Sequence, residues 1–381
     1  MRNFQPKLRL FVAALTVCLC TGLTVFAQDM TAAEPALEGL DPVQLVQGKE
    51  VQGNFKITVT RGRFQYMFAN EEDKALFEKD PAHYEIQLNG SCARMGAPVG
   101  GNPDLYSVHK GKIYIFGSPE CKKLFDGAPE KYLESENSTK SAVAASPEAL
   151  KKGTELIEKA VAAVGAPALI DGLSDYQEKS TAQQNRRGKE VDVKNELTII
   201  FPDRFRTEQA GPDFVNPTVT RKTAVVVTPG ESFVVGPDGT QTLPPDYRVV
   251  QQQELNRRPL SILRARKTAS FKVVAAGTGT VGQTSVEKVA VEFDGTSYML
   301  GLDSANGRIV SLTYRRRGPR GEFGEVVKTY ADFRTVNGLT LPFKVDATFN
   351  GEPWKEQSAT IDSIAINSKV DAALFEKPKS E

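Results

Sequence analysis

All the thiols and imidazoles of this 381-residue chain lie in its first third: Cys18, Cys20, His83, Cys92, His109 and Cys121. That distribution sorts the available chemistry. Thiol nucleophiles, Ser-His-Asp triads and His-ligated metals are excluded from residues 134–381. Acid–base work there would fall to Asp, Glu, Lys or Tyr. No H-E-x-x-H, Walker loop or G-x-S-x-G occurs. Gly277-Thr278-Gly279-Thr280-Val281-Gly282 matches G-x-G-x-x-G by letter, but it leads from one strand to another and not into a helix. It reads as a flexible loop, not a dinucleotide site. The chain is therefore expected to bind something without catalysing a reaction, and nothing in it requires a cofactor.

Compartment narrows the thiols further. Arg2, Lys7 and Arg9 precede an uncharged apolar run from Leu10 to Phe26, and Val25-Phe26-Ala27 suits a signal peptidase. Residues 1–27 are expected to be a signal peptide cut before Gln28, leaving a periplasmic or secreted chain with no transmembrane span. The cut removes three basic residues and no acidic one, leaving 45 basic against 47 acidic. Cys92 and Cys121 then remain, in an oxidising environment. They either pair as a disulfide or stay as two buried thiols. With His83 and His109 they are the only soft candidates for a metal, which would typically need four convergent ligands. His83 falls at a helix end and His109 just before the Lys110-Gly111 turn, both ordinary places for solvated rings.

Composition sets the outer limits. Lys and Arg number 48 against 47 Asp and Glu, with 40% hydrophobic and 25% charged residues. Such a chain is too apolar and too neutral for disorder. It lacks the basic excess of a nucleic-acid binder and the repeated apolar runs of a polytopic membrane protein. Its length suits about two domains. The local basic clusters, Arg257-Arg258 with Arg264, Arg266 and Lys267, and Arg315-Arg316-Arg317 with Arg320, would suit anionic headgroups or the acidic face of an envelope protein partner.

The elements that must position these residues fall into two units. Residues 28–36 read as a loose leader. A first unit ends near Leu133, and a small polar linker spans 135–147. Ser146-Pro147 then caps a helix over Glu148–Val164. Strands are expected at Leu197–Phe201, Ala224–Val227, Ser232–Val235, Phe271–Ala276, Val286–Phe293, Ile309–Tyr314, Val326–Phe333, Phe343–Phe349 and within Lys355–Ile366, with Asn350-Gly351 as a hairpin turn. Residues 247–267 read as helix broken at Pro259. The class is α+β with a largely antiparallel sheet.

Within the first unit, residues 61–84 and 110–132 repeat one another. Phe68 aligns with Phe116, Leu76 with Leu124, Phe77 with Phe125, Pro81 with Pro129 and Tyr84 with Tyr132. Each copy is a hairpin followed by a helix. With Gly39-Leu40-Asp41-Pro42-Val43 and Gly90-Ser91-Cys92-Ala93, this pattern resembles the YHS (TRASH-like) domain over residues 37–134. The resemblance implies metal binding through cysteines in some members. Here Gln44 and Gly117 stand where two such cysteines would be, and of that set only Cys121 remains.

Residues 148–378 resemble the LolA-like lipoprotein-sorting domains. The likeness rests on Leu197–Phe201 with Pro202-Asp203-Arg204-Phe205-Arg206, on Pro259-Leu260-Ser261-Ile262-Leu263 and on Leu302-Asp303-Ser304-Ala305-Asn306-Gly307-Arg308-Ile309-Val310. Tyr330–Arg334, Asn337–Phe343 and Leu374–Pro378 add to it. It implies a curved antiparallel half-barrel covered by helices, with an apolar cavity for acyl chains. The expected cavity lining is Leu197, Ile199, Phe201, Leu260, Leu263, Val291 and Phe293; each is equally a core residue by type. The expected ligand is a lipid or lipoprotein acyl chain. The alternative is metal or redox sensing through the first unit, with the second as an interaction scaffold.

Overall fold

The computed structural model describes residues 33–134, 145–186, 188–213, 216, 218–243 and 245–378. The signal-peptide reading of residues 1–27 and most of the 135–147 linker lie outside them.

The repeat is a structural repeat. The first copy runs through α1 (Pro42–Val46), β2 (Asn54–Arg61), β3 (Phe64–Phe68), α2 (Glu71–Lys79) and α3 (Pro81–Tyr84). The second has β4 (Asn102–His109), β5 (Lys112–Phe116), α4 (Pro119–Gly127) and α5 (Glu130–Leu133). Each copy closes on one helix phenylalanine. Phe77 meets Phe68 and Tyr66 at 5.2 and 4.9 Å between ring centroids, and Phe125 meets Phe116 and Tyr114 at 5.0 and 5.4 Å. Each copy also opens on a tight 3-10 turn with positive φ throughout: Leu37, Glu38 and Gly39 at 60°, 55° and 77°, and Leu88, Asn89 and Gly90 at 56°, 49° and 77°. The packed part begins before residue 37, because β1 (Glu34–Pro35) pairs in parallel with β3 and Ala36 is buried.

In the second unit, Ser146 Oγ accepts from Ala149 N, Pro147 opens α6 (Pro147–Val164), and Gly165 ends it. Its buried Leu156, Ile157, Ala160, Val161 and Val164 recur at helical spacing and enter one apolar cluster with the sheet. After α7 (Pro167–Asp171) come β6 (Asp175–Arg186), β7 (Lys189–Ile200), β8 (Arg204–Pro212), β9 (Thr220–Val227), β10 (Ser232–Gly236) and β11 (Gly239–Thr242). Then follow α8 (Pro245–Asn256) and α9 (Pro259–Ala265), divided where the proline was expected to divide them.

A second meander follows: β12 (Lys272–Val281), β13 (Thr284–Phe293), β14 (Thr296–Asp303), β15 (Ile309–Arg317), β16 (Phe323–Val336) and β17 (Leu339–Phe349). The hairpin strand β18 (Glu352–Pro353) and the closing β19 (Ala359–Ile366) complete the set. Asn350 and Gly351 turn β17 into β18 with φ of 51° and 85°, the conformation an Asn-Gly hairpin needs.

The result is one open, curved antiparallel sheet of 14 strands in the order β11-β10-β9-β8-β7-β6-β19-β17-β16-β15-β14-β13-β12, with β18 on β17. The last strand joins the two meanders. It pairs with β6 from Thr360 to Ile366, but with β17 only at Lys344↔Thr360 and Val345↔Ala359. The far end of the β7–β10 meander is covered on its other face by the C-terminal segment, where Phe375 packs with Val226 and Phe233.

One expected loop is a strand. Gly277 to Val281 continue β12, and Gly277, at φ +86°, sits at the bulge between Ala275 and Thr278. The glycines relieve a kinked edge strand and open no helix. Among the described residues no helix is long and apolar enough to cross a membrane.

Candidate functional site

The seven expected lining residues come together. Ile199, Leu260, Leu263, Val291 and Phe293 are buried members of one cluster, and Leu197 and Phe201 pack against it. They arrive from β7 and its end, from α9 and from β13, so the apolar interior lies between the sheet and the helices. Two surface depressions lie elsewhere or only at its margin. One of about 290 Å³ is lined by Glu38, Glu50, Asp104, Leu105, Tyr106 and Lys122. Another of about 150 Å³, on β6 and β7, touches Leu197 and Glu178 but is mainly polar.

The interior is not purely apolar. Tyr176, Tyr298, Tyr314, Tyr330 and Trp354 belong to the same cluster, and charged side chains lean on them. Arg257 lies 4.4 Å from the Tyr314 ring centroid, with Lys328 at 5.8 Å. Arg316 stands 5.5 Å from Trp354, and Arg258 5.6 Å from Tyr176. Glu254 of α8 pairs with Arg257 and with Arg316 Nη1 at 2.9 Å. Glu178 of β6 pairs with Arg258 and accepts from Tyr176 Oη at 2.6 Å.

The electrostatics follow from that arrangement. Burial alone would raise the Glu254 carboxyl, but the charges of Arg316, Arg257 and Lys328 overcome it and hold the group at about 2. Burial likewise works against the Arg258 cation, and Glu178 more than offsets it. Burial pushes the Tyr176 and Tyr330 phenols upward, so both stay neutral donors. Among the described residues, Tyr314 Oη and Trp354 Nε1 are two of several buried side-chain polar atoms that make no hydrogen bond. They sit where the apolar interior meets the charges.

This corrects the reading of the basic clusters as outward-facing binding patches. Arg257, Arg258 and Arg316 turn inward. Arg266 and Lys267 pair with Asp171, and Arg315 pairs with Glu134. The sequence does not show the convergence of Glu178, Glu254, Arg258 and Arg316, because β6, the α8–α9 segment and β15, which carry them, are far apart in the chain. Arg258 and Arg316 stand in basic runs, but nothing local marks Glu178 and Glu254 as their partners.

The soft residues of the first unit separate into two places. Cys92 and Cys121 are both buried, unbridged thiols in one small cluster with Phe116, Phe125 and Tyr132. His109 Nε2 lies 2.9 Å from Glu130 Oε1, and His83 stacks edge-on against Tyr84 at 4.6 Å. Among the described residues no three His, Cys, Asp or Glu side chains are grouped as ligands of a cation, so the four do not form one centre.

In architecture this is a two-part α+β protein: a repeated hairpin–helix module joined to an open antiparallel sheet with helices over its apolar face. No family model matches the chain, and no curated protein matches it. Solved structures similar to it include a domain described as an outer membrane lipoprotein-sorting protein from Vibrio parahaemolyticus. That match has 9% identity and TM-score 0.39, and covers 59% of this chain and 97% of that one. A DUF1329 family protein from Desulfovibrio piger has 12% identity and TM-score 0.40, with 60% and 97% covered. A LolA superfamily protein from Nitrosomonas europaea has 11% identity and TM-score 0.39, with 59% and 97% covered. Similarity at this level assigns no ligand to the chain.

Proposed function

We propose that the protein is an exported, non-enzymatic carrier whose second unit, the LolA-like part, takes an acyl chain into the apolar interior. The ligand's polar end rests against the Trp354–Tyr314 region. The observation that carries this reading is that Trp354 Nε1 and Tyr314 Oη, both on members of the apolar cluster, make no hydrogen bond among the described residues. Buried donors without partners are costly, by about 1–3 kcal/mol each, and a ligand oxygen would relieve them. Because the side chains of this cluster are buried, entry requires the α8–α9 cover to lift. That cover is polar on much of its length and leaves Val249 exposed. The first unit, the YHS-like part, is not needed for this binding.

Trp354 is the chain's single tryptophan, so its emission reports occupancy directly. Titration with saturated fatty acids from octanoate to stearate should change that emission. Affinity should rise with length, by about fourfold per added methylene until the space is full. Ile199→Asp, which puts an unpaired carboxylate in the interior, should abolish binding. If no chain length binds the wild-type protein, the interior is a closed core and the carrier reading fails.

A further inference from the structure

The two copies of the first unit contain the same socket filled with different chemistry. In the first copy, Asp41 follows the Leu37–Gly39 turn and faces Asp73, three residues past the α2 cap Asn70. Asp41 is fully buried and accepts from Val43 N at 2.8 Å and Ala69 N at 2.7 Å. Gln44 Nε2 reaches Asp73 at 2.9 Å. In the second copy, Cys92 follows the Leu88–Gly90 turn and faces Cys121, three residues past the α4 cap Ser118. The role of Gln44 is taken by a cation, with Arg94 Nη1 3.6 Å from Cys121 Sγ. A carboxylate pair in one socket is thus a thiol pair in the other.

We infer that Cys92 and Cys121 are a dithiol–disulfide site, with Cys121 the attacking sulfur and Cys92 the resolving one. The roles follow from position. Cys121 lies in the first turn of α4, its backbone N–H bonded to Ser118 Oγ at 3.2 Å, with Arg94 beside its sulfur and a little of the residue reaching solvent. Cys92 is fully buried behind it. The thiol of Cys92 has the largest effect on Cys121, and with Ser118 and Arg94 it outweighs burial to hold Cys121 at about 5. Cys92 itself is pushed upward, first by Cys121 and then by burial, and so keeps its proton.

With a peroxide as oxidant the chemistry balances. The Cys121 thiolate attacks one peroxide oxygen, the O–O bond breaks, and hydroxide leaves a sulfenic acid on Cys121. The Cys92 sulfur then attacks that sulfur, the S–O bond breaks, and the Cys92 proton leaves with the oxygen as water. The two sulfurs together lose two electrons to the peroxide.

The test uses the purified full chain, reduced and then exposed to hydrogen peroxide. Mass spectrometry should find an intramolecular Cys92–Cys121 linkage and no thiol left to alkylate. The rate should rise with pH around a midpoint near 5 and not near the ordinary thiol value. Cys92→Ser should stop at a sulfenic acid that dimedone traps on Cys121, and Arg94→Gln should slow the wild-type reaction several-fold at pH 5. Two outcomes would overturn the assignment. One is wild-type protein that keeps both thiols under peroxide. The other is linkage that forms only between molecules. Neither depends on a variant folding, and neither bears on acyl-chain binding.

Discussion

Arg315, Arg316 and Arg317 are neighbours in sequence and end in different environments, because successive side chains of a strand point to opposite faces. Arg315 pairs with Glu134, and Arg317 reaches backbone carbonyls of the first unit. Arg316 points the other way, to Glu254 and Trp354. A run of like charge that reads as one basic patch is therefore two separate structural devices. Glu254 is the sharper test of the inward one. Its carboxyl is held at about 2 in the folded protein, below an unfolded value near 4.3. A depressed carboxyl contributes stability that is fully present above the unfolded pKa and lost as pH falls through the folded one. Glu254→Gln should thus cost about 2–3 kcal/mol at neutral pH, from the lost charge between two arginines. The deficit should shrink between about pH 5 and pH 2, as urea unfolding of variant and wild type at each pH would show.

At the scale of elements, α6 is held close to β12 by a missing side chain. A Cβ at Gly153 would meet Ala275 N at 2.8 Å and the Val274 backbone at 3.0 Å. Ala is preferred over Gly inside a helix by about 1 kcal/mol, so propensity alone predicts that Gly153→Ala stabilises. The contact predicts the opposite sign, because backbone on the strand cannot yield as a flexible side chain would. A lower melting temperature for Gly153→Ala is the expected result. The repeated module offers a parallel test: Phe125→Ala empties the centre of one copy and should cost about 3–5 kcal/mol, measurable by chemical unfolding. Much of this was legible in the sequence. Phe77 and Phe125 stood out by alignment, Ser146-Pro147 by cap chemistry, and the α8–α9 break by Pro259. β6 was not legible, and the reason is physical. Its buried face is Tyr176, Glu178, Ser180, Ala182 and Gln184, which alternates with its exposed face without becoming hydrophobic. The period was present and the contrast was not. The same polarity of the inner face hid the Glu178–Arg258 pair.

Over the whole molecule, the two units meet at a seam in which Arg317 is the central residue. Its Nη1 donates to Arg94 O and Gly321 O at 2.9 Å each, and its Nη2 donates to Tyr132 O at 2.7 Å. Close approach is enforced by glycine on both sides. A Cβ at Gly96 would meet Arg317 Nε at 2.7 Å, and one at Gly321 would meet Arg94 O at 2.2 Å; both have positive φ, +72° and +87°. A smaller apolar contact lies beside it, where Ala97 packs on Val234, Leu243 and Tyr247. A guanidinium that satisfies carbonyls from both units at once cannot be replaced by an ammonium, which lacks the planar fork. Arg317→Lys should leave each unit's own core intact, since neither apolar cluster includes it, yet uncouple the two. Calorimetry should then resolve two transitions where the wild type gives more nearly one, and proteolysis between residues 134 and 147 should accelerate. Arg94 joins this seam to the thiols, its carbonyl held by Arg317 and its side chain by Cys121. Forming the disulfide removes the thiolate that Arg94 faces, so amides around residues 94–96 and 318–321 should exchange hydrogen faster in the oxidised protein than in the reduced one. Equal exchange in both forms would confine any redox effect to the first unit.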